Sequence, residues 1–434
     1  MKQRSLLSQT IHTLTSILLG QGAMIAAGIA ISRVYGPAGK GVVSYAGIAI
    51  MAFIAIGEGL SSAVARTAGQ DSERAASAYV AARRIVVIVS ALASPIIALI
   101  GWFVPSQHAL LAVAIALPFA LYLQTMNAFH LINLRVERTN VASLATNAGT
   151  GIAMLLAMAT RHVGIDGILT IWVVGYVSGA LIVARGLHQL ARDAVPAEVS
   201  RSFGEMVRFS RMTSLSSIAA YLSFRVDVFI VSALLTPIAL GNYTLAIACG
   251  ELMFQVSRAI SWSAYGRVAI ASFEEGAAIT ARITRLVIAI EVVSAVVAFV
   301  LGPWLVTLVY GSAFAQAGIA LRYLLPGMTV YAADAILTYF LSVRANRPAL
   351  VLRIEFVTLT LCALVTFATV GRYGIIGPAI ATTLAYLFSF GAKISIFARL
   401  TKTPIRDLFI ARRDDFAALR GSSRPIDTAP VPVL

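Results

Sequence analysis

Residues 209–240 read FSRMTSLSSIAAYLSFRVDVFIVSALLTPIAL. The run has the length and apolarity of a membrane-spanning helix, yet Arg225 and Asp227 sit close to its middle. A charge at bilayer depth costs about 2.5–3.5 kcal/mol on insertion scales and more in simulations, so such residues point at a protein interior or a water-filled cavity. Residues two apart on a helix point about 200° away from each other, and each of this pair must find its partner on another helix. Arg225 reads either as facing a central cavity or as half of an ion pair pinning two helices. Asp227 reads as the partner of another helix's cation or as a proton carrier. Arg225 is also the deepest basic residue and the best placed to meet a phosphate.

The 434-residue chain is 59% hydrophobic and 12% charged, where soluble proteins carry about 25% charged residues. Apolar runs of about 20 residues recur from end to end, which gives an all-α polytopic membrane protein. The runs are continuous rather than alternating, which argues against a β-barrel. The net charge of +15 does not imply nucleic acid. The basic residues lie between apolar runs, and no soluble domain is large enough to hold a nucleic-acid fold. Cys249 and Cys362 lie in apolar runs and read as small core residues rather than a disulfide. The opening MKQRSLLSQTIHTLTSILLG looks like a signal peptide, but its apolar stretch continues to Val34, so it is expected to stay attached as a first span.

About twelve spans are expected, near 11–34, 42–65, 84–104, 109–133, 141–160, 166–189, 211–235, 242–265, 284–309, 319–343, 350–370 and 374–398. The connector around Leu190–Ser210 holds Pro196 and several charges and separates two halves. The expected domains are an N-lobe over 1–195, a C-lobe over 196–400 and a basic cytoplasmic tail over 401–434. If the N-terminus is cytoplasmic, the outer connectors hold only Arg33, Lys40, Arg161, Arg322 and Arg372. All other basic clusters then fall inside, a strong positive-inside bias that puts both termini in the cytoplasm.

The halves repeat each other. Pro37 and Gly41 match Pro237 and Gly241, an offset of 200. Arg84 then matches Arg285, Leu117-Pro118 matches Leu325-Pro326, and Arg135 with Arg138 matches Arg344 with Arg347. Gly164-Ile-Asp-Gly167 matches Gly374-Ile-Ile-Gly377 at an offset of 210. An offset that grows steadily fits a duplication with small insertions. Six spans per half make parallel repeats about an axis along the membrane normal, an arrangement in which transporters place the substrate path between the repeats.

No catalytic motif emerges: there is no HExxH, GxSxG, Walker or CxxC pattern, and neither a metal nor a cofactor is implied. What remains are the ionisable residues within spans. Arg66 ends the second span and reads as lining the cytoplasmic mouth of a cavity or as a positive-inside anchor; Glu58 lies two turns before it on roughly the same face. Glu251 and Arg258 share a face of the eighth span, as cavity groups or bundle glue. Asp334 is mid-span, a partner for Arg225 or a proton carrier. Arg33 reads as snorkelling at the interface or as a cavity residue, and Lys393 as snorkelling from near a span end. Glu291 reads as packed against a cytoplasmic arginine, and His130 as a satisfied bundle residue. Arginines at depth favour anionic cargo, but the acidic residues are numerous enough to leave the sign of the cavity open.

Several stretches resemble one family in order along the chain. SRVYGPAGKGVVSY resembles the entrance motif of the polysaccharide-repeat flippases. SFRVDVFIVSALLTPIALGNYTLAIACGE resembles their seventh and eighth spans, VYGSAFAQAGIALRYLLPGM their ninth-to-tenth connector, and RYGIIGPAIATTLAY their last span. The family is the Wzx-type lipid-linked oligosaccharide flippases, within the multidrug/oligosaccharidyl-lipid/polysaccharide exporter (MOP) superfamily. The resemblance implies two six-helix lobes around a central, MATE-like cavity. It also implies a cargo of undecaprenyl-pyrophosphate-linked sugar repeats turned across the membrane by alternating access. A proton or Na+ as coupling ion, and a polymerase or glycosyltransferase complex as partner, come with it. Arg225, Asp227 and Arg66 are the positions that would carry over. The chain ends soon after the twelfth span, unlike the peptidoglycan lipid flippases with two further helices. An ion-coupled exporter of drugs or small cations on the same fold is the alternative, and acids without arginines in the cavity would favour it. A scaffold or glycan polymerase is a third reading, which a large outer loop would support.

Overall fold

A computed structural model describes residues 6–70, 74–132, 136–160, 163–185, 187–410 and 415. Among these the secondary structure is helical throughout, with no strand. The helices are α1 (Leu6–Gln70), α2 (Ala75–Phe103), α3 (Leu110–Ile132), α4 (Val136–Ser143), α5 (Thr150–Ala159) and α6 (Ile165–Ala184). They continue with α7 (Pro196–Leu234), α8 (Pro237–Ile270), α9 (Phe273–Tyr310), α10 (Ala315–Tyr339), α11 (Pro348–Tyr373) and α12 (Ile376–Thr401). α4 and α5 join through a π-helical turn, Leu144–Gly149, into one membrane-length element. A second π-helical turn, Phe340–Arg344, follows α10.

The boundaries follow from the sequence. Proline opens α7, α8 and α11, where its missing N–H would have no helical partner anyway. Gly311 (φ 104°) and Gly374 (φ 56°) stand at the turns after α9 and α11, in a conformation that a Cβ disfavours. Pro118 and Pro326, matched in the repeat, fall inside α3 and α10 at equivalent depth.

Eleven of the described elements are long and apolar enough to cross a membrane, rather than the twelve expected. The difference lies in α1, which takes in both the 11–34 and the 42–65 spans. At 65 residues a straight helix would run about 98 Å, some three times the hydrocarbon thickness of about 30 Å. It breaks at Gly36 (φ 65°, ψ −167°), immediately before Pro37. The Nζ of Lys40 lies 3.3 Å from where a Cβ on Gly28 would stand. Twelve residues of straight helix would hold those positions about 18 Å apart, so the chain turns back at Gly36.

The chain forms two compact units. The first comprises Met1–Ile247, Pro303–Ala320 and Leu359–Ala381; the second comprises Ala248–Gly302, Leu321–Thr358 and Thr382–Leu434. Within the first unit the matched segments of the repeat touch reciprocally. A Cβ on Gly41 would stand 2.4 Å from the Pro237 carbonyl oxygen, and one on Gly241 would stand 1.8 Å from that of Pro37. Residue i meeting j while j meets i is the signature of two-fold-related elements, as a duplication requires.

Candidate functional site

In the first unit, the second half of α1 runs antiparallel to α7. Tyr221 Oη donates to the Ile48 carbonyl at 2.6 Å, Ser214 Oγ to that of Ile56 at 2.9 Å, and Thr213 Oγ1 to that of Gly59 at 3.2 Å. Gly59 permits this approach, because a Cβ there would sit 2.4 Å from the Ser214 nitrogen. Side-chain hydroxyls satisfied on a neighbouring helix are worth most where water is absent.

At the end of this seam a cavity of about 620 Å³ opens, within the usual range for ligand pockets. Its lining includes Arg66, Arg74 and Arg208 against one carboxylate, Glu205, with Phe209 and Thr213 behind them. The Arg66 guanidinium lies over the Phe209 ring, 4.9 Å from its centroid, an arrangement that orients the fork without neutralising it. Arg74 meets Glu198 at 3.5 Å, and Glu198 and Glu205 both pair with Arg201. Three guanidiniums converging from α1, α7 and the connector into α2 make an anion-attracting pocket.

Arg225 and Asp227 lie further along α7 and separate as their spacing requires. Arg225 is half-buried on the stripe that carries Ser214 and Tyr221 toward α1. Its guanidinium stands 4.4 Å from the Phe224 ring centroid. It is not among the residues that line the basic cavity. Asp227 is 1% exposed; it accepts from the Val228 N–H at 2.8 Å and from the Tyr243 hydroxyl on α8. Removing that phenol costs a hydrogen bond to a charged group, about 1.5–3 kcal/mol. Tyr243→Phe should therefore lower thermal stability in detergent, and should do so less in an Asp227→Asn background.

In the second unit Asp334, Glu355 and Lys393 form a buried cluster. Lys393, fully buried, donates to Asp334 and to Glu355 at 2.5 Å each. Asp334 also accepts from Ser389 at 3.1 Å and Thr338 at 3.3 Å. Lys393 therefore does not snorkel: two carboxylates hold it inside. The partner found for Asp334 is this lysine, and Glu355 was not singled out from sequence.

Comparison with known proteins follows the fold. The model of the polysaccharide biosynthesis protein family matches residues 30–318, more than half of the chain. The chain belongs to this family. Among solved structures it is similar to the lipid II flippase MurJ in an inward closed conformation. TM-score is 0.70 at 15% identity, covering 93% of this chain and 89% of that one. It is similar also to an inward-facing multidrug resistance MATE transporter of the MOP superfamily, with TM-score 0.68 at 16% identity over 91% and 99% of the two chains. A MOP superfamily transporter from Pyrococcus furiosus aligns with TM-score 0.56 at 17% identity over 91% and 96%. No curated protein sequence matches. The chain is thus a multi-pass membrane protein of the polysaccharide biosynthesis family with the fold of MOP transporters.

The other candidate residues of this family member fall as follows. Arg33 is exposed; its Nε donates to the Val309 carbonyl at 2.8 Å and its Nη2 to that of Leu308. These are last-turn carbonyls of α9, which have no helical donor, so Arg33 caps that helix. Glu58 is exposed on α1, and Glu251 is half-buried on α8. Arg258 lies within α8, but its side chain is outside the described residues. His130 is buried and bonded to the Val183 carbonyl at 3.0 Å, a satisfied bundle residue. Cys249 and Cys362 are not joined in a disulfide. Glu291 departs from its expected arginine contact: it is fully buried, and among the described residues neither carboxyl oxygen has a hydrogen-bond partner. Among the described residues no His, Cys, Asp and Glu group could hold a metal ion.

Proposed function

We propose that this protein moves an undecaprenyl-pyrophosphate-linked oligosaccharide across the bacterial inner membrane by alternating access, for surface polysaccharide synthesis. The observation that carries the reading is the basic cavity of Arg66, Arg74 and Arg208, in a chain of the polysaccharide biosynthesis family. Guanidinium forks match pyrophosphate oxygens bidentately, and Phe209 and Met212 give the cavity an apolar border for the lipid stem. The positive-inside pattern assigns this end to the cytoplasm, where such lipids would be loaded, with both termini on the same side. Lobes over 1–195 and 196–400 are the moving parts, with Arg225, Asp227, Glu58, Glu251, Arg258 and Asp334 as further cargo or coupling groups, and a polymerase or glycosyltransferase complex as the recipient. A cation exporter would need acids to dominate the cavity, and here arginines do.

Alanine at Arg66 or Arg208 should reduce surface glycan about tenfold or more each, the worth of one charge-assisted contact. Both side chains are exposed, so protein levels in the membrane should hold. Lysine at either position should retain part of the activity. Wild-type surface glycan in the Arg66→Ala, Arg208→Ala double variant would overturn the reading.

A further inference from the structure

The geometry points to a proton-carrying site at Glu291, reached along a seam of hydroxyls between α8 and α9. This rests on the transport reading above and names the coupling ion for it. Glu291 is fully buried, and both its carboxyl oxygens lack a partner. The group facing it from α8 is the hydroxyl of Ser257, itself fully buried and outside hydrogen-bond geometry. Among the described residues no ammonium, guanidinium or imidazole pairs with the carboxyl. An ionised carboxylate enclosed without a partner is too costly to persist, and the group must carry a proton or a cation.

The surroundings decide between the two. α8 and α9 are antiparallel here, with Val268 opposite Gly276 and Ser257 opposite Glu291. That register sets Ser261 of α8 opposite Val287 of α9. Thr284 and Thr280 share the helical face of Glu291, about two and three turns before it. All three hydroxyls are essentially fully buried and unpartnered. Several other buried or half-buried hydroxyls return to the carbonyl one turn back, as in Ser61 to Gly57, Ser223 to Ala219 and Thr358 to Ile354, while a few, such as Thr125 and Thr366, stand unpartnered singly. Those of the seam are unpartnered as a group among the described residues. The result is a line of oxygens, Glu291 with Ser257, then Ser261, Thr284 and Thr280, about one helical turn or less between successive steps. It leads toward the start of α9, where Glu274 and Glu275 are exposed. A sodium ion needs several oxygens converging on one point, whereas a proton passes along a line of hydroxyls. The arrangement fits a proton. Asp334, Glu355 and Lys393 satisfy one another and do not offer the same open carboxyl.

The test uses the full-length protein in detergent and dicyclohexylcarbodiimide, which modifies carboxyls that carry a proton in apolar surroundings. Mass spectrometry of the peptide bearing Glu291 should show modification that declines as pH is raised and is unaffected by sodium chloride. Absence of modification at Glu291, or protection by sodium at constant pH, overturns the proton site and leaves the flippase reading standing. In cells, Glu291→Gln should reach the membrane at normal level and lose surface glycan at least tenfold, while Glu291→Asp should retain modification and part of the export. Wild-type export by Glu291→Gln overturns the coupling role. Because labelling reads the site whatever the cargo is, it separates this proposal from the identity of the lipid.

Discussion

Replacing Lys393 with alanine is expected to destabilise the protein by about 3–5 kcal/mol, the cost of breaking a buried ion pair from one side. The lysine side chain is fully enclosed, and Asp334 is 8% exposed. Alanine would leave two carboxylates facing each other with no cation between them. The loss should appear as a marked fall in the detergent melting temperature and in the fraction of monodisperse protein. A triple variant with Asp334→Asn, Glu355→Gln and Lys393→Met should recover most of it, since replacing a whole buried ionic cluster with neutral groups is often close to neutral. If Lys393→Ala alone melts within a degree of wild type, the cluster does not hold α10, α11 and α12 as the distances imply.

Lys393 also shows where reading the sequence stops. A lysine a few residues from the end of an apolar run snorkels in most membrane helices, and one span considered alone offers no sign otherwise. Its carboxylate partners come from α10 and α11, 59 and 38 residues away along the chain, and no periodicity within α12 registers them. Glu291 escaped for the complementary reason. Several arginines lie on nearby connectors, so a partner is the economical assumption, and that none of the described residues supplies one is a fact of packing. What one helix's own period dictates was legible. The 200° between Arg225 and Asp227 sends one toward α1 and the other onto Tyr243 of α8. Arg66, near the end of α1, lines a cavity. Arg74 and Arg208 share that cavity but read from sequence only as topology signals. The spans themselves were legible from hydropathy, because lipid leaves the backbone few alternatives. The reversal at Gly36 was marked by the Gly-Pro pair, though one element there spans what reads as two.

Gly241→Ala should be among the most damaging single-methyl changes in the chain. Alanine normally improves a helix over glycine by about 1 kcal/mol. Here its Cβ would stand 1.8 Å from the Pro37 carbonyl oxygen and 2.7 Å from the carbonyl carbon. Those are backbone atoms beside the Gly36 break, and they cannot rotate away as a side chain could. Overpacking of this kind costs about 1–3 kcal/mol or more, so the clash outweighs the propensity gain. Gly41→Ala meets the same obstacle reciprocally, 2.4 Å from the Pro237 oxygen and 2.8 Å from the Gly241 nitrogen, and a valine at either position should abolish folded protein. The control is Gly204→Ala in α7, where nothing lies within 4 Å of the added Cβ; melting temperature should hold or rise there. Opposite signs for one chemical change would tie the effect to the contact rather than to helix propensity. Pro37 and Gly41 recur as Pro237 and Gly241, and the two copies press on each other. Each glycine is therefore required by its counterpart's backbone, and a change in either copy is felt by both.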